Sequence, residues 1–234
     1  VMSDMYLENV LGPLQKWLHS LGMSLRAEPS YGVHFEISRP GKYVDGVEVE
    51  SFAQNGDVDL YRGLLGSANV YGRTYSSETG AYEIGYEPET GKVLTGYNFI
   101  FDMDFWSQLT QLQFAAGVSR TVFHGYSAIE GSEQDTQWPG HEGMYNHISE
   151  RFSSRQPASV HYADWTKMLA RNQKVLRQGV PARDLAILRT DYAFINYGFS
   201  KEHLQFTRSF PMYDKAYFFK DLSLQHAGYT YDSD

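Results

Sequence analysis

Apolar residues return along the chain at helical spacing, give way to a glycine and then to a short alternating run, and this order recurs. Over residues 5–21, Leu7, Leu11, Leu14, Leu18 and Leu21 fall on one helical face, Gly22 follows, and 23–28 reads as a strand. The scheme returns as a helix over 57–71, Gly72 and a strand over 73–78, and again as a helix over 102–116, Gly117 and a strand over 119–125. A fourth copy runs over 160–178, through Gly179, into a strand over 184–190. A fifth begins near 212, reaches Gly228 and ends in the candidate strand 229–232.

Each glycine is expected at the residue after a helix end, where a left-handed backbone costs glycine no Cβ clash. Helix-to-strand connections are short, whereas strand-to-helix connections run to about 20–35 residues, against about 2–6 in ordinary α/β units. Alternating helices and strands predict a mainly parallel sheet, and long loops at the strands' C-terminal ends mark its functional face. A doubly wound sheet shares that asymmetry. The expected fold class is α/β: the C-terminal part of a (β/α)8 TIM-type barrel with long strand-to-helix loops over 1–180, plus the start of a following α/β domain over 181–234. Too few strand units are present for the eight of a closed barrel, so the chain is expected to be a piece of a longer protein.

The strand ends carry the candidate chemistry. Thr74, Ser76 and Glu78 alternate to one face, and Glu78 emerges just before Thr79-Gly80. A carboxylate at the end of a barrel strand suits a glycosidase acid, base or nucleophile; a salt-bridged or solvated glutamate is the plainer alternative. Pro29 holds Glu28 extended, leaving it to bind sugar hydroxyls, hold a cation or pair with Arg26. His124 closes the third strand as a sugar donor or a structural histidine. Trp138 sits in WPGHE, either on a sugar-stacking rim or plugging a gap. Glu48 and Glu50 alternate with valine inside the first long loop, which suggests a strand with one acidic face.

Composition narrows the class. A charge of −8 with both signs scattered argues against nucleic acid or an anionic membrane as partner, and no run is apolar enough for a transmembrane span. Aromatic residues make up 15%, including 18 Tyr, which suits ring stacking on sugars or an aromatic core. No cysteine is present, which excludes thiolate metal sites and a cysteine nucleophile. There is no G-x-S-x-G elbow, Walker loop or H-E-x-x-H motif.

Several stretches resemble the catalytic barrel of the α-L-rhamnosidases of glycoside hydrolase family 106 and their large fungal and bacterial relatives. They are RAEPSYG (26–32), VEVESF (47–52), DLYRGLLGSANVYGRTYSSETGA (59–81), FAAGVSRTVFHGYS (114–127), WPGHEGMY (138–145) and HYADWTKMLARNQKVLRQGVPARDLAILR (161–189). The resemblance implies a secreted hydrolase of a polysaccharide or glycoside, acting through two carboxylates at a deoxysugar such as rhamnose. By it Glu78 is one catalytic carboxylate, and Glu50, the other candidate catalytic residue in this chain, matches an acidic position near the sugar and a calcium ion, the one cofactor suggested; Glu28, Tyr31, His124 and Trp138, read from their places at and after the strand ends, are expected to bind substrate. It implies an inverting reaction and places the second catalytic carboxylate on an earlier strand, upstream of residue 1. The expected partners are a carbohydrate and the remainder of the parent chain, without which this piece is expected to be inactive. A non-catalytic carbohydrate-binding protein on a degenerate barrel is the alternative.

Overall fold

The computed structural model describes residues 1–29, 38–51, 58–80, 102–125, 152, 154, 157–187 and 231–233. The N-terminal helix α1 (Met2–Tyr6) continues through a π-turn at Leu7–Leu11 into α2 (Gly12–Ser20). Then come β1 (Arg26–Ala27), a 3₁₀ turn at Pro40–Lys42, β2 (Gly46–Glu50), α3 (Val58–Arg62), α4 (Leu65–Val70) and β3 (Thr74–Thr79). They are followed by α5 (Met103–Ala115), β4 (Arg120–Phe123), a 3₁₀ turn at Pro157–His161 and α6 (Tyr162–Leu176). Last are β5 (Leu185–Ile187) and β6 (Tyr231–Ser233). No helix among the described residues is long and apolar enough to cross a membrane.

The protein is α/β, with a four-stranded parallel sheet in the order β1-β2-β3-β4 and a separate parallel pair, β5-β6. The expected strands are parallel, but those near 23–28 and 73–78 are not neighbours: β2 lies between them. The acidic run expected to be a strand within the first long loop is thus a central strand of the sheet. The first strand shrinks to Arg26–Ala27, because the Leu25 N–H turns to the Asp45 carboxylate instead of a neighbouring strand.

The helices explain themselves locally. Asp102 caps α5 by accepting from Phe105 N at 2.8 Å, and the inward stripe Trp106, Leu109, Thr110 and Gln113 follows at helical spacing. Gly22, Gly72 and Gly117 have φ of 71°, 62° and 103°, the left-handed conformation expected after α2, α4 and α5. Gly179 does not adopt it, so α6 ends without that device. The single helix expected over 57–71 breaks into α3 and α4 at Gly63-Leu64. The leucine stripe of the first helix also splits. Leu7 and Leu11 are buried and Leu18 packs on the core, but Leu14 and Leu21 are exposed, because a π-turn adds a residue to the turn and rotates the rest of the helix.

Every described strand residue in the apolar core comes from the same face of the sheet. Val47, Val49 and Tyr75 meet Leu7, Leu11, Tyr61, Leu65, Ala68, Trp106 and Leu109 there, with Phe152, Trp165 and Leu169 completing the layer. The aromatic part is continuous: Phe123 lies 5.0 Å from Trp165, and Phe152 lies 5.1 Å from Trp106.

Asp45 ties the first helix to the sheet. It accepts from Gln15 Nε2 at 3.0 Å and Leu25 N at 2.7 Å, and its Oδ2 lies 2.8 Å from His19 Nε2. Burial opposes its ionisation, but the Leu25 N–H, His19 and Gln15 together hold the carboxyl below its usual range. Asp45→Ala removes three bonds at once and is expected to lower stability by about 2 kcal/mol. Urea unfolding measures it; an unchanged midpoint would show that water replaces these contacts without loss.

Candidate functional site

The other face of the sheet is polar. In-register pairing sets Glu48 beside Ser76 and Glu50 beside Glu78, and Ser76 and Glu78 in turn beside Arg120 and Val122. In a parallel sheet residues paired in register project to the same side, so Arg26, Glu48, Glu50, Ser76, Glu78 and Arg120 share one face. Glu28 and His124 extend the two edges of that face one step past β1 and β4.

The contacts follow this layout. Arg26 Nη1 lies 3.1 Å from Glu48 Oε2, and Ser76 Oγ donates to the same oxygen at 2.6 Å. Arg26 therefore pairs with Glu48 across the β1–β2 ladder, and not with Glu28, its neighbour along the chain. His124 Nε2 lies 4.0 Å from Glu78 Oε1, and both side chains are partly open, at 21% and 28% exposure. Glu28, Glu48 and Glu78 each bring a carboxylate oxygen to within 4.8 Å of the other two. Glu28 Oε1 is buried and makes no hydrogen bond among the described residues. Glu48 and its strand neighbour Glu50, which pairs in register with Glu78, are buried.

Such crowding cannot be fully ionised. Burial, then the charges of Glu78, Glu50 and Glu48, push the Glu28 carboxyl up to about 8, against the pull of Arg26. Burial also raises Glu78, with Arg26 opposing, and raises Glu48 against Ser76 and Arg26. A carboxyl raised that far keeps its proton near neutrality, while Arg26 opposes the upward shifts of Glu48 and Glu78.

Backbone staples hold the strand ends in place. Gly80 N donates to Ser51 Oγ at 3.2 Å, joining the ends of β2 and β3, and His124 N donates to Thr79 O at 2.9 Å, joining β4 to β3. Gly80 has φ 131°, and a Cβ there would lie 2.6 Å from His124 O, so only glycine lets the three ends converge.

Of the residues expected at the site, Glu28, Glu50, Glu78 and His124 come together at one end of one face. Tyr31 and Trp138 lie outside the described residues. Arg26, Ser76 and Ser51 stand there too, none of them expected as a functional residue, although Ser76 was expected on the face of Glu78 and Arg26 as a partner for Glu28. Arg26 and Ser76 were signalled by the same two-residue alternation that pointed to Glu78; nothing in the sequence singles out Ser51. An open cavity of about 370 Å³ lies on the helix side, lined by Asp102, Met103, Asp104, Pro157, Ala158 and His161; it contains none of these carboxylates, which argues against it as the chemical centre. Compared with family models, curated proteins and solved structures, the chain matches none.

The Glu28 shift fixes a sign. Below 4.5 the group carries its proton folded or unfolded; between 4.5 and about 8 only the folded state holds it. Folding takes up a proton in that window, so stability falls as pH rises through it. Glu48 and Glu78, also raised, act in the same direction. Melting temperature is expected to decline from pH 4.5 to 8, and Glu28→Gln to flatten most of the decline. A melting temperature that rises across that window would contradict the burial of a protonated Glu28.

Proposed function

We propose that this face is the acid–base centre of a glycoside hydrolase, and that the four strands belong to a (β/α)-barrel whose interior the carboxylates line. The one-sidedness of the sheet supports the barrel: apolar core and helices on one face, charged side chains on the other, clustered at the C-terminal ends of parallel strands. The observation that carries the activity is the pair Glu28 and Glu78, two half-buried carboxyls whose nearest oxygens lie within 4.8 Å, one of them held protonated. A proton donor facing an ionisable carboxylate is what cleavage of a glycosidic bond requires.

Glu28 gives its proton to the glycosidic oxygen as the bond from that oxygen to the anomeric carbon breaks. A Glu78 oxygen bonds to the anomeric carbon, with His124 steadying the carboxylate. Water, giving a proton back to Glu28, then displaces Glu78 and frees the sugar. Inverting enzymes keep their carboxyls about 6.5–9.5 Å apart to admit a water, and retaining ones about 5–5.5 Å. Glu28 and Glu78, whose nearest oxygens lie within 4.8 Å, leave little room for a water between them, which supports retention against the inversion that the family resemblance implies, with both carboxyls on this reading in this chain. Glu50, at 6% exposure, serves by its charge, helping to keep the proton on Glu28.

Calcium does not fit this set. The oxygens of Glu28, Glu48 and Glu78 are of the right hardness, but Glu48 Oε2 already accepts from Ser76 and pairs with Arg26, whose guanidinium would stand against a cation there.

The assay is hydrolysis of α-L-rhamnosides by the full-length protein, with the stereochemistry of the first product read by NMR. Glu78→Gln and Glu28→Gln are each expected to lower kcat by at least ~10²-fold with the fold intact. With an activated aryl leaving group, which needs no proton, Glu28→Gln should recover kcat/KM and release the aryl group in a first-turnover burst, while its kcat stays low because Glu28 also takes the proton of the displacing water; Glu78→Gln should recover neither. An unchanged rate in Glu78→Gln removes it from the mechanism, and sugar binding without turnover in the wild type favours the carbohydrate-binding alternative.

A further inference from the structure

Directly behind Glu78, on the helix side of the sheet, lies a closed polar network that the apolar core does not call for. Gln113 is fully buried on the inward stripe of α5. Its Nε2 donates to Ser77 Oγ at 3.1 Å and to Tyr61 Oη at 3.3 Å, and its Oε1 accepts from Thr79 Oγ1 at 3.1 Å. Ser77 and Thr79 are themselves fully buried. They are the residues on either side of Glu78, and alternation along the strand sends them to the helix face as Glu78 goes to the other. One amide therefore grips both chain neighbours of a single carboxylate, from behind.

Such a network is costly to bury unless every member is satisfied, and an aliphatic residue at 113 would pack α5 on β3 without that demand. What the amide adds is fixed geometry. Thr79 also presents its carbonyl to His124 N at 2.9 Å, and Gly80 binds Ser51 Oγ at 3.2 Å, so the grip on β3 extends to the ends of β2 and β4. We propose that Gln113 is a positioning residue: its amide, through Ser77 and Thr79, sets where Glu78 projects toward Glu28 and His124. The inference rests on the reading of Glu78 as the working carboxylate, but its test needs no substrate.

Among the described residues, the charged and titratable groups that face the Glu28–Glu78 pair are Arg26 on β1, Glu48 and Glu50 on β2, and Arg120 and His124 on and after β4. A shift of Glu78 by a few tenths of an ångström changes its coupling to all of them. The test is the titration of the Glu28 and Glu78 carboxyl carbons by NMR in the full chain, wild type against Gln113→Met, which keeps the length of the side chain and removes the amide. Thr110→Val is the control, since Thr110 is equally buried on α5 but bonds only within its own helix, to Trp106 O and Ser107 O. Gln113→Met is expected to move the apparent midpoints of the pair by at least about half a unit, and Thr110→Val to leave them in place. Thr79→Val, which removes one arm of the grip, should shift them in the same sense, and Thr79→Ser, which restores the hydroxyl, should not. If Gln113→Met does not fold, the two Thr79 variants decide between grip and packing. Midpoints unchanged in folded Gln113→Met or in Thr79→Val reduce the network to core packing and overturn the proposal. Because the readout is titration, a chain inactive on every glycoside still returns an answer, and loss of the hydrolase reading is not mistaken for loss of this one.

Discussion

The pairing of β2 with β3 decides where the carboxylates at the centre of the sheet go. With Glu50 opposite Glu78 and Glu48 opposite Ser76, the carboxylates are stacked on one face, an arrangement that repulsion between neighbouring strands disfavours. The other face makes it hold. Val47, Val49 and Tyr75 sit in the core behind the same backbone, and a slip of one residue would exchange them with the glutamates. Burial of the apolar face thus enforces a crowd of acids that would not assemble by itself. Relief comes from Arg26, from the Ser76 hydroxyl and from a proton kept on Glu28.

The two faces are mechanically one object. Residues that alternate along β3 send Tyr75, Ser77 and Thr79 to the helices and Ser76 and Glu78 to the site, so whatever fixes the first set fixes the second. Tyr75 donates to Tyr61 O, Ser77 and Thr79 engage Gln113, and Gly80 and His124 close the strand ends. The proposed chemistry needs two carboxyls at a defined spacing with different proton occupancy. A rigid strand end and a buried charge cluster supply both.

Much of this architecture was legible in the sequence. The helices ending at Gly22, Gly72 and Gly117, and the parallel strands after them, follow from periodicity and from the left-handed preference of glycine. The face shared by Thr74, Ser76 and Glu78 follows from alternation. The central place of β2 did not follow, because partner choice in a sheet is non-local and VEVE carries a charge at half its positions, which in isolation suits a solvated edge as well as a buried strand. The π-turn at Leu7–Leu11 is marked locally by Gly12-Pro13 directly after it, but the five leucines at helical spacing outweighed that mark and promised one buried stripe, of which Leu14 and Leu21 are exposed. Arg26 has two glutamates within reach, and only the register of β1 on β2 chooses Glu48. Gln113, a polar residue on the inward stripe of α5, and Ser77 and Thr79, at the helix-facing positions of β3, were the visible signs of the network behind Glu78.

The claim at the centre is that packing forces a proton to remain on Glu28 near neutral pH. Infrared difference spectroscopy of the folded chain at pH 6 to 7 reads this without substrate, since a protonated carboxyl absorbs apart from a carboxylate. The account predicts a protonated-carboxyl band in the wild type that disappears in Glu28→Gln and fades as pH passes about 8. A wild-type spectrum at pH 6 to 7 with carboxylate bands alone, or a protonated band that survives Glu28→Gln, would contradict it.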